Sequence, residues 1–139
     1  MTKMLFAVLI ATVLGTSLAA GDPRGPGERS QAMSESPFFC NVKALSPAAR
    51  RRHFDELGPM LRSRRIGVRE LPNGYAFEFP ADPEMIALVE EWVVGERACC
   101  PFFDIAMTFD REGGPFRLML SGREGTKEFI KVDAAGWIE

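Results

Sequence analysis

Residues 66–79, with the sequence IGVRELPNGYAFEF, decide the fold because they predict a β-hairpin. Apolar and polar residues alternate along both halves, which is the period at which the side chains of a strand point to opposite faces. Residues 72–74, Pro-Asn-Gly, supply the residue types that turns favour. The alternation places Tyr75, Phe77 and Phe79 together, and we expect that face of the hairpin to be buried.

A second hairpin and a long helix follow towards the C-terminus. Residues 103–109 and 116–120 also alternate, and the glycine- and proline-containing residues 110–115 between them predict the turn. The apolar residues of 82–100 recur every three or four positions, which indicates a helix with one broad buried face. We expect Pro101 to end this helix, because the residue before a proline is disfavoured in the α conformation.

Two further helices complete the predicted fold. Residues 46–65 begin with Ser46-Pro47, a favourable helix start, and Gly58-Pro59 predicts a kink or two short helices. Residues 124–132 predict a weak terminal helix. The element order α-β-β-α-β-β-α predicts an α+β fold in which helices cover one face of a four-stranded antiparallel sheet.

The first 37 residues are predicted to lie outside this domain. Residues 1–20 combine Lys3 with an uncharged, mostly apolar run and small residues near their end, the pattern of a cleavable secretory signal peptide. An uncleaved anchor is the alternative, but the run is short for a membrane span of ~20 residues. Residues 21–37 predict a disordered spacer, because they are rich in Pro, Gly, Ser and charge. We therefore expect an exported domain, periplasmic or secreted, at 38–139, with no stable membrane anchor after cleavage.

The charge balance argues against nucleic acid as the partner. The formal net charge is −2 at pH 7 and the basic residues form no tail, whereas a phosphate-binding surface needs a concentrated positive field. We expect the arginines of the first helical region to form a solvated basic face, with an anionic partner as the alternative. These arginines are Arg50, Arg51, Arg52, Arg62, Arg64 and Arg65.

An adjacent pair of cysteines, Cys99 and Cys100, stands out together with the remote Cys40. Thiolates are the ligands that soft ions of the Hg(II), Cu(I) or Zn(II) type select, and a third thiolate would complete a trigonal site. The pair is predicted at a helix C-terminus, where the helix dipole disfavours a thiolate nucleophile but favours a bound cation. Glu96 lies one turn before the thiols, although it most simply solubilises the helix, and Arg97 would offset part of the dipole.

Two alternative disulfides compete with a metal site, and the only histidine is not expected to contribute to one. In an oxidising compartment Cys40 would form a disulfide with Cys99 or Cys100 and staple the start of the domain to the helix. A Cys99–Cys100 disulfide is a further alternative, although its small ring strains the intervening peptide. His53, the only histidine, follows three arginines, so we expect a partly exposed side chain rather than a ligand, and nothing in the sequence brings it to the cysteines.

Residues 96–102, ERACCPF, and 121–130, SGREGTKEFI, resemble a small uncharacterised family with an E-R-x-C-C-P-F motif and an ending of the type T-G-x-x-G-x-K-x-F. Similar domains occur alone or fused to MerR-type, heavy-metal-responsive regulators. The resemblance covers roughly residues 40–130 and implies a soft-metal association, with Cys99, Cys100 and Cys40 as candidate ligands. This chain has a predicted leader in place of a DNA-binding segment, which favours metal capture outside the cytoplasm over cytoplasmic sensing.

These observations predict a non-enzymatic domain that binds a soft metal ion through thiolates. The first alternative is a thiol-dependent redox or organometal-cleaving enzyme that uses the same cysteine pair. The second is a disulfide-stapled structural or interaction module. The expected partner is accordingly a soft metal ion or a thiol partner. The sequence assigns no catalytic residue and gives no indication of the oligomeric state.

Overall fold

The computed structural model describes residues 35–139, so the predicted signal peptide and most of the predicted spacer lie outside the described residues. The order of elements is the predicted one, and the α+β class is confirmed. The elements are α1 (Pro47–Arg51), α2 (Gly58–Arg64), β1 (Gly67–Leu71), β2 (Gly74–Phe79), α3 (Pro83–Cys99), β3 (Asp104–Phe109), β4 (Phe116–Ser121) and α4 (Thr126–Asp133).

The four strands form one antiparallel sheet in the order β1-β2-β4-β3. The two predicted hairpins are therefore the two halves of the sheet, joined through the pairing of β2 with β4. Phe77 of β2 lies opposite Leu118 of β4, which in turn lies opposite Met107 of β3. Tyr75, Phe77 and Phe79 are all buried, as the alternation predicts.

The buried face of the sheet packs against the helices and forms the main hydrophobic core. α3 contributes Met85, Val89 and Trp92 to this core, and α4 contributes Ile130. Trp92 also contacts Trp137 near the C-terminus, with 4.8 Å between the ring centroids. One face of the sheet is thus covered by helices, as predicted.

The first helical region consists of two short helices, as predicted, but the junction between them is a π-helical segment, Arg52–Leu57. The Gly58 amide donates to the carbonyl of His53, five residues earlier, which gives the wider turn of a π-helix. Pro59 follows at the start of α2, where its missing N–H is tolerated. The expected kink at Gly58-Pro59 is therefore replaced by a widened turn just before it.

The segment that precedes α1 is held against the ends of α3 and α4. The ring of Phe38 meets that of Phe102 edge to face at 5.2 Å, and the Arg123 guanidinium lies 4.3 Å from the centre of the Phe38 ring. Glu35, within the predicted spacer, bonds to Arg123 at 2.8 Å. Among residues 35–139 no helix has both the length and the apolar character that crossing a membrane requires.

Candidate metal centre

Helix α3 carries the site because its buried stripe continues to its last turn. Asp82 caps the start of the helix by accepting a bond from the Met85 amide at 2.8 Å. Cys100 caps the other end and its amide donates to the Glu96 carbonyl, immediately before Pro101. The cysteine pair therefore lies at the end of the helix, as predicted. The buried residues of α3 are Met85, Val89, Trp92, Glu96 and Cys99.

Cys40 and Cys100 form a disulfide across 60 residues of sequence, with 4.8 Å between their Cα atoms. Of the two partners that the sequence left open for Cys40, the structure therefore bonds Cys100. The Asn41 amide donates to the Cys99 carbonyl at 2.7 Å and holds the two segments together beside this bond. Cys99 keeps a free thiol.

The expected pair of accessible thiols is not what the structure contains. Cys99 and Cys100 have no exposed surface, whereas Cys40 is partly exposed. Cys100 is also occupied by the disulfide, so it has no thiol to offer in this state. A site with three thiolate ligands exists only after the disulfide has been reduced.

The thiol of Cys99 lies within 4 Å of four groups, one of which is the backbone carbonyl of Glu96 at 3.8 Å. Its sulfur is 3.7 Å from the sulfur of Cys100, 3.8 Å from Oε2 of Glu96 and 3.9 Å from Nε2 of His53. Burial, followed by the nearby charge of Glu96, raises the pKa of the Cys99 thiol to about 12. Cys99 is therefore a protonated thiol at neutral pH, and it lacks the lowered pKa of an activated cysteine nucleophile.

His53 and Glu96 form a buried pair next to Cys99, with 2.9 Å between Nε2 and Oε2. The two residues are 3% and 6% exposed, so the expectations of a surface histidine and of a solubilising Glu96 are wrong. The His53 ring stacks on Trp92 at 5.3 Å with an interplanar angle of 13°. His53 therefore contacts Cys99, although nothing in the sequence indicated that the two would meet.

Gly95 makes room for the histidine and is a site residue that sequence reasoning missed. A Cβ atom built on Gly95 would lie 2.5 Å from Nδ1 of His53, closer than packing permits. Among the described residues Nδ1 has no hydrogen-bond partner. The signal was a glycine inside an otherwise regular helix, which often marks close approach of another group.

Within the described residues the arginines singled out in the sequence do not bond to the cysteine cluster, although Arg62 lines a cavity beside it. Arg97 is exposed and, within the described residues, forms no hydrogen bond or ion pair with the cysteine cluster, so its expected effect on the dipole at the end of α3 stays a prediction. In the basic face of the first helical region, Arg52 bonds to Glu91 at 2.8 Å and Arg64 bonds to Glu84 at 3.0 Å. These carboxylates neutralise part of the positive charge that an anionic partner would meet.

A cavity of about 350 Å³ opens beside the cluster. Cys40, His53 and Glu96 line one part of it, whereas Cys99 and Cys100 do not reach it. Much of the remaining wall is aromatic and consists of Phe54, Trp92, Phe103, Phe129 and Trp137. The cavity thus places Cys40, one residue of the disulfide, beside a space of the size that small-molecule sites have.

The donor set fits a metal ion. One ligand atom from each of Cys40, Glu96, Cys99 and Cys100 lies within 4.8 Å of the others. Two sulfurs bound tetrahedrally to one Zn²⁺ at ~2.3 Å lie roughly 3.8 Å apart. The sulfurs of Cys99 and Cys100 are 3.7 Å apart, which matches that spacing. The cysteines and Glu96 could therefore hold a metal ion once the thiols are free.

Comparison with protein-family models, with curated proteins and with solved structures finds no match for this chain.

Proposed function

We propose that this protein is an exported domain that binds a soft metal ion of the Hg(II), Cu(I) or Zn(II) type through thiolates, without catalysing a reaction. The observation that carries the proposal is the convergence of Cys40, Glu96, Cys99 and Cys100, whose ligand atoms lie within 4.8 Å of one another. Three sulfurs and one carboxylate suit ions that prefer soft ligands. The resemblance around the cysteine pair supports the same class of ligand.

Reduction of the Cys40–Cys100 disulfide is part of the proposal. Thiolates, rather than disulfide sulfurs, bind soft metals, so the oxidised form offers only Cys99 as a sulfur ligand. The raised pKa of Cys99 adds a cost, because the thiol must lose its proton to the solvent when an ion binds. Metal binding is therefore expected to release protons and to weaken as the pH falls.

The compartment enters the proposal through the leader and the disulfide. The pattern of residues 1–20 is that of a secretory signal peptide. A structural disulfide is typical of proteins in oxidising compartments, which supports export. An oxidising compartment also keeps most chains in the closed, disulfide form, so the metal-binding form depends on a local source of reducing thiols.

The test compares metal binding by the oxidised and the fully reduced protein. Native mass spectrometry with Cu(I) and Hg(II) is expected to show one ion per reduced chain, and at most weak binding through Cys99 in the oxidised chain. The variant Cys99→Ser/Cys100→Ser removes the adjacent thiols and is expected to lose tight binding. Equal stoichiometry and affinity in the wild type and this variant would refute the proposal.

A matched pair of glutamate variants tests the geometry of the site. Glu96→Gln removes a carboxylate within the cluster, whereas Glu90→Gln removes an exposed carboxylate on the same helix. If Glu96 is a ligand, the first change weakens metal affinity and the second leaves it unchanged. Equal effects of the two changes would exclude Glu96 from the site.

The observed disulfide favours a second candidate function, a stapled structural or interaction module. In that case the bond between Cys40 and Cys100 is permanent and only fastens the N-terminal segment to α3. Counting the thiols of the mature protein after isolation under non-reducing conditions, with alkylation in denaturant, separates the two. A population that always contains one thiol per chain favours the staple, whereas a fraction with three thiols favours the reducible metal site.

A further inference from the structure

We propose that Cys40 is a site of modification, where a small organic thiol enters the cavity and forms a mixed disulfide with the protein. The inference concerns the Cys40–Cys100 bond itself and needs no metal. It therefore holds or fails separately from the proposed function. It also assigns a ligand class, small thiols with little charge, to the cavity that Cys40 and Glu96 line.

The two residues of the disulfide differ in their exposure. Cys100 is fully buried, and its sulfur lies against the sulfur of Cys99 at 3.7 Å. Cys40 is partly exposed and forms part of the cavity wall. Which sulfur of a disulfide an incoming thiolate attacks depends on access. An attack from the cavity therefore meets Cys40 and makes Cys100 the leaving group.

The cavity limits the class of thiol that can attack. Its volume of about 350 Å³ admits a small organic molecule but no protein chain. Aromatic side chains such as Phe54, Phe103 and Trp137 form much of the wall and favour apolar groups. Charged side chains also line the cavity, so a weakly polar group fits there as well; these are Arg62, Glu96 and Asp133.

The reaction is a thiol–disulfide exchange in two steps. The thiolate of the small thiol attacks Sγ of Cys40, a new sulfur–sulfur bond forms, and the electron pair of the Cys40–Cys100 bond leaves on Sγ of Cys100. A second small thiolate then attacks the small thiol's sulfur in the mixed disulfide and releases Cys40. Two small thiols are oxidised to one disulfide, and the protons they lose are taken up by Cys40 and Cys100.

The first experiment locates the adduct. The oxidised protein is treated with limiting 2-mercaptoethanol, quenched with acid, alkylated and digested under non-reducing conditions for mass spectrometry. The mixed disulfide is expected on the peptide that contains Cys40, with alkylated Cys100. An adduct on Cys100 would overturn the proposal, because the attack would then have reached the buried sulfur.

The second experiment tests the cavity as the route. Gly136 lies in the cavity wall, is exposed, and has only the Arg62 side chain near an added Cβ, at 3.7 Å. Gly136→Trp is therefore expected to narrow the opening and to slow reduction by 2-mercaptoethanol on the order of tenfold, since exchange rates follow access. Val94→Trp adds the same bulk at an exposed position of α3 outside the cavity and is expected to change nothing.

If Gly136→Trp does not fold, the wild type alone can test the cavity as the route, by comparing its rates of reduction by a small and by a large thiol. The reductants are 2-mercaptoethanol and the same thiol group attached to a polymer too large for the cavity, at equal thiolate concentrations. The small thiol is expected to react on the order of tenfold faster with the folded protein and equally fast in denaturant. Equal rates with the folded protein would refute the cavity as the route of attack.

Discussion

Replacing Gly95 by alanine is expected to destabilise the protein, although the same replacement inside a helix usually stabilises it. Alanine is favoured over glycine in a helix interior by about 1 kcal/mol. At position 95, however, the new Cβ would lie 2.5 Å from Nδ1 of His53. The histidine cannot simply turn away, because its ring is stacked on Trp92 and its other nitrogen bonds to Glu96.

The magnitude follows from these opposing effects. Adding a methyl group to a well-packed interior costs about 1–3 kcal/mol. Displacement of the His53 ring would also weaken its hydrogen bond to Glu96, and hydrogen bonds to charged groups contribute about 1.5–3 kcal/mol. If the displacement forfeits about 1 kcal/mol of that bond and the gain in helix propensity of about 1 kcal/mol is subtracted, Gly95→Ala is expected to lower the free energy of unfolding by about 1–3 kcal/mol.

A double-mutant cycle isolates the contact. Chemical denaturation of the oxidised protein gives the free energy of unfolding for the wild type, Gly95→Ala, His53→Ala and the double variant. In the His53→Ala background the clash is gone, so Gly95→Ala is expected to stabilise by about 1 kcal/mol. The resulting coupling of roughly 2–4 kcal/mol is large for a single contact. Stabilisation by Gly95→Ala in the wild-type background would refute the packing described here.

Three further outcomes are expected. The folded protein holds the Cys99 proton up to about pH 12, whereas the unfolded chain releases it near pH 9. Between these values the free energy of unfolding of the wild type should therefore fall by about 1.4 kcal/mol per pH unit more than that of Cys99→Ala. Denaturation at several pH values measures both, and equal slopes of free energy against pH would contradict the prediction. The free energy of unfolding of Cys40→Ala/Cys100→Ala should be about 4 kcal/mol lower than that of the oxidised wild type, because the disulfide closes a loop of 60 residues. If the bond acts mainly on the unfolded chain, the reduced wild type should have the same free energy of unfolding as the variant. Asp82→Ala should cost about 1 kcal/mol through loss of the bond to the Met85 amide, whereas Glu90→Ala on the exposed face of α3 should be nearly neutral in the same denaturation assay.

The regular elements were predictable because local chemistry and the fold agree there. The alternation around Phe77 and Leu118 defines which face of the sheet is buried, and the structure pairs these two residues. Ser46 and Asp82 cap the helices that they were predicted to start. Pro101 follows the end of α3 directly. In each case the deciding interaction is made within a few residues of the sequence signal.

The centre of the site was less predictable because its polar residues lie on apolar stripes. Glu96 follows Trp92 by four residues and precedes Cys99 by three, so it belongs to the buried face of α3 despite its charge. His53 likewise lies four residues before Leu57, on the buried side of its helix. Helical spacing placed both residues inside, but a charged or titratable side chain is ordinarily exposed unless a partner is present.

The sequence does not show which residue pairs with the buried Glu96, nor which residue pairs with the buried His53. His53 and Glu96 are separated by 43 residues, and their 2.9 Å contact depends on how α3 packs against the π-helical segment. The choice of Cys100 over Cys99 as the partner of Cys40 has the same origin, since the two candidates are adjacent in sequence. Only the direction of each side chain at the end of α3 distinguishes them.

The 60-residue separation of Cys40 and Cys100 also determines the order in which a newly made chain can mature. Cys40 is synthesised early, but its disulfide partner Cys100 is made only after the first hairpin and all of α3. Cys99 and Cys100 are then synthesised one after the other, and Cys99 is the first of the two. Before α3 has formed, Cys40 can pair with either of the two adjacent cysteines, so the fold of α3 is what selects Cys100.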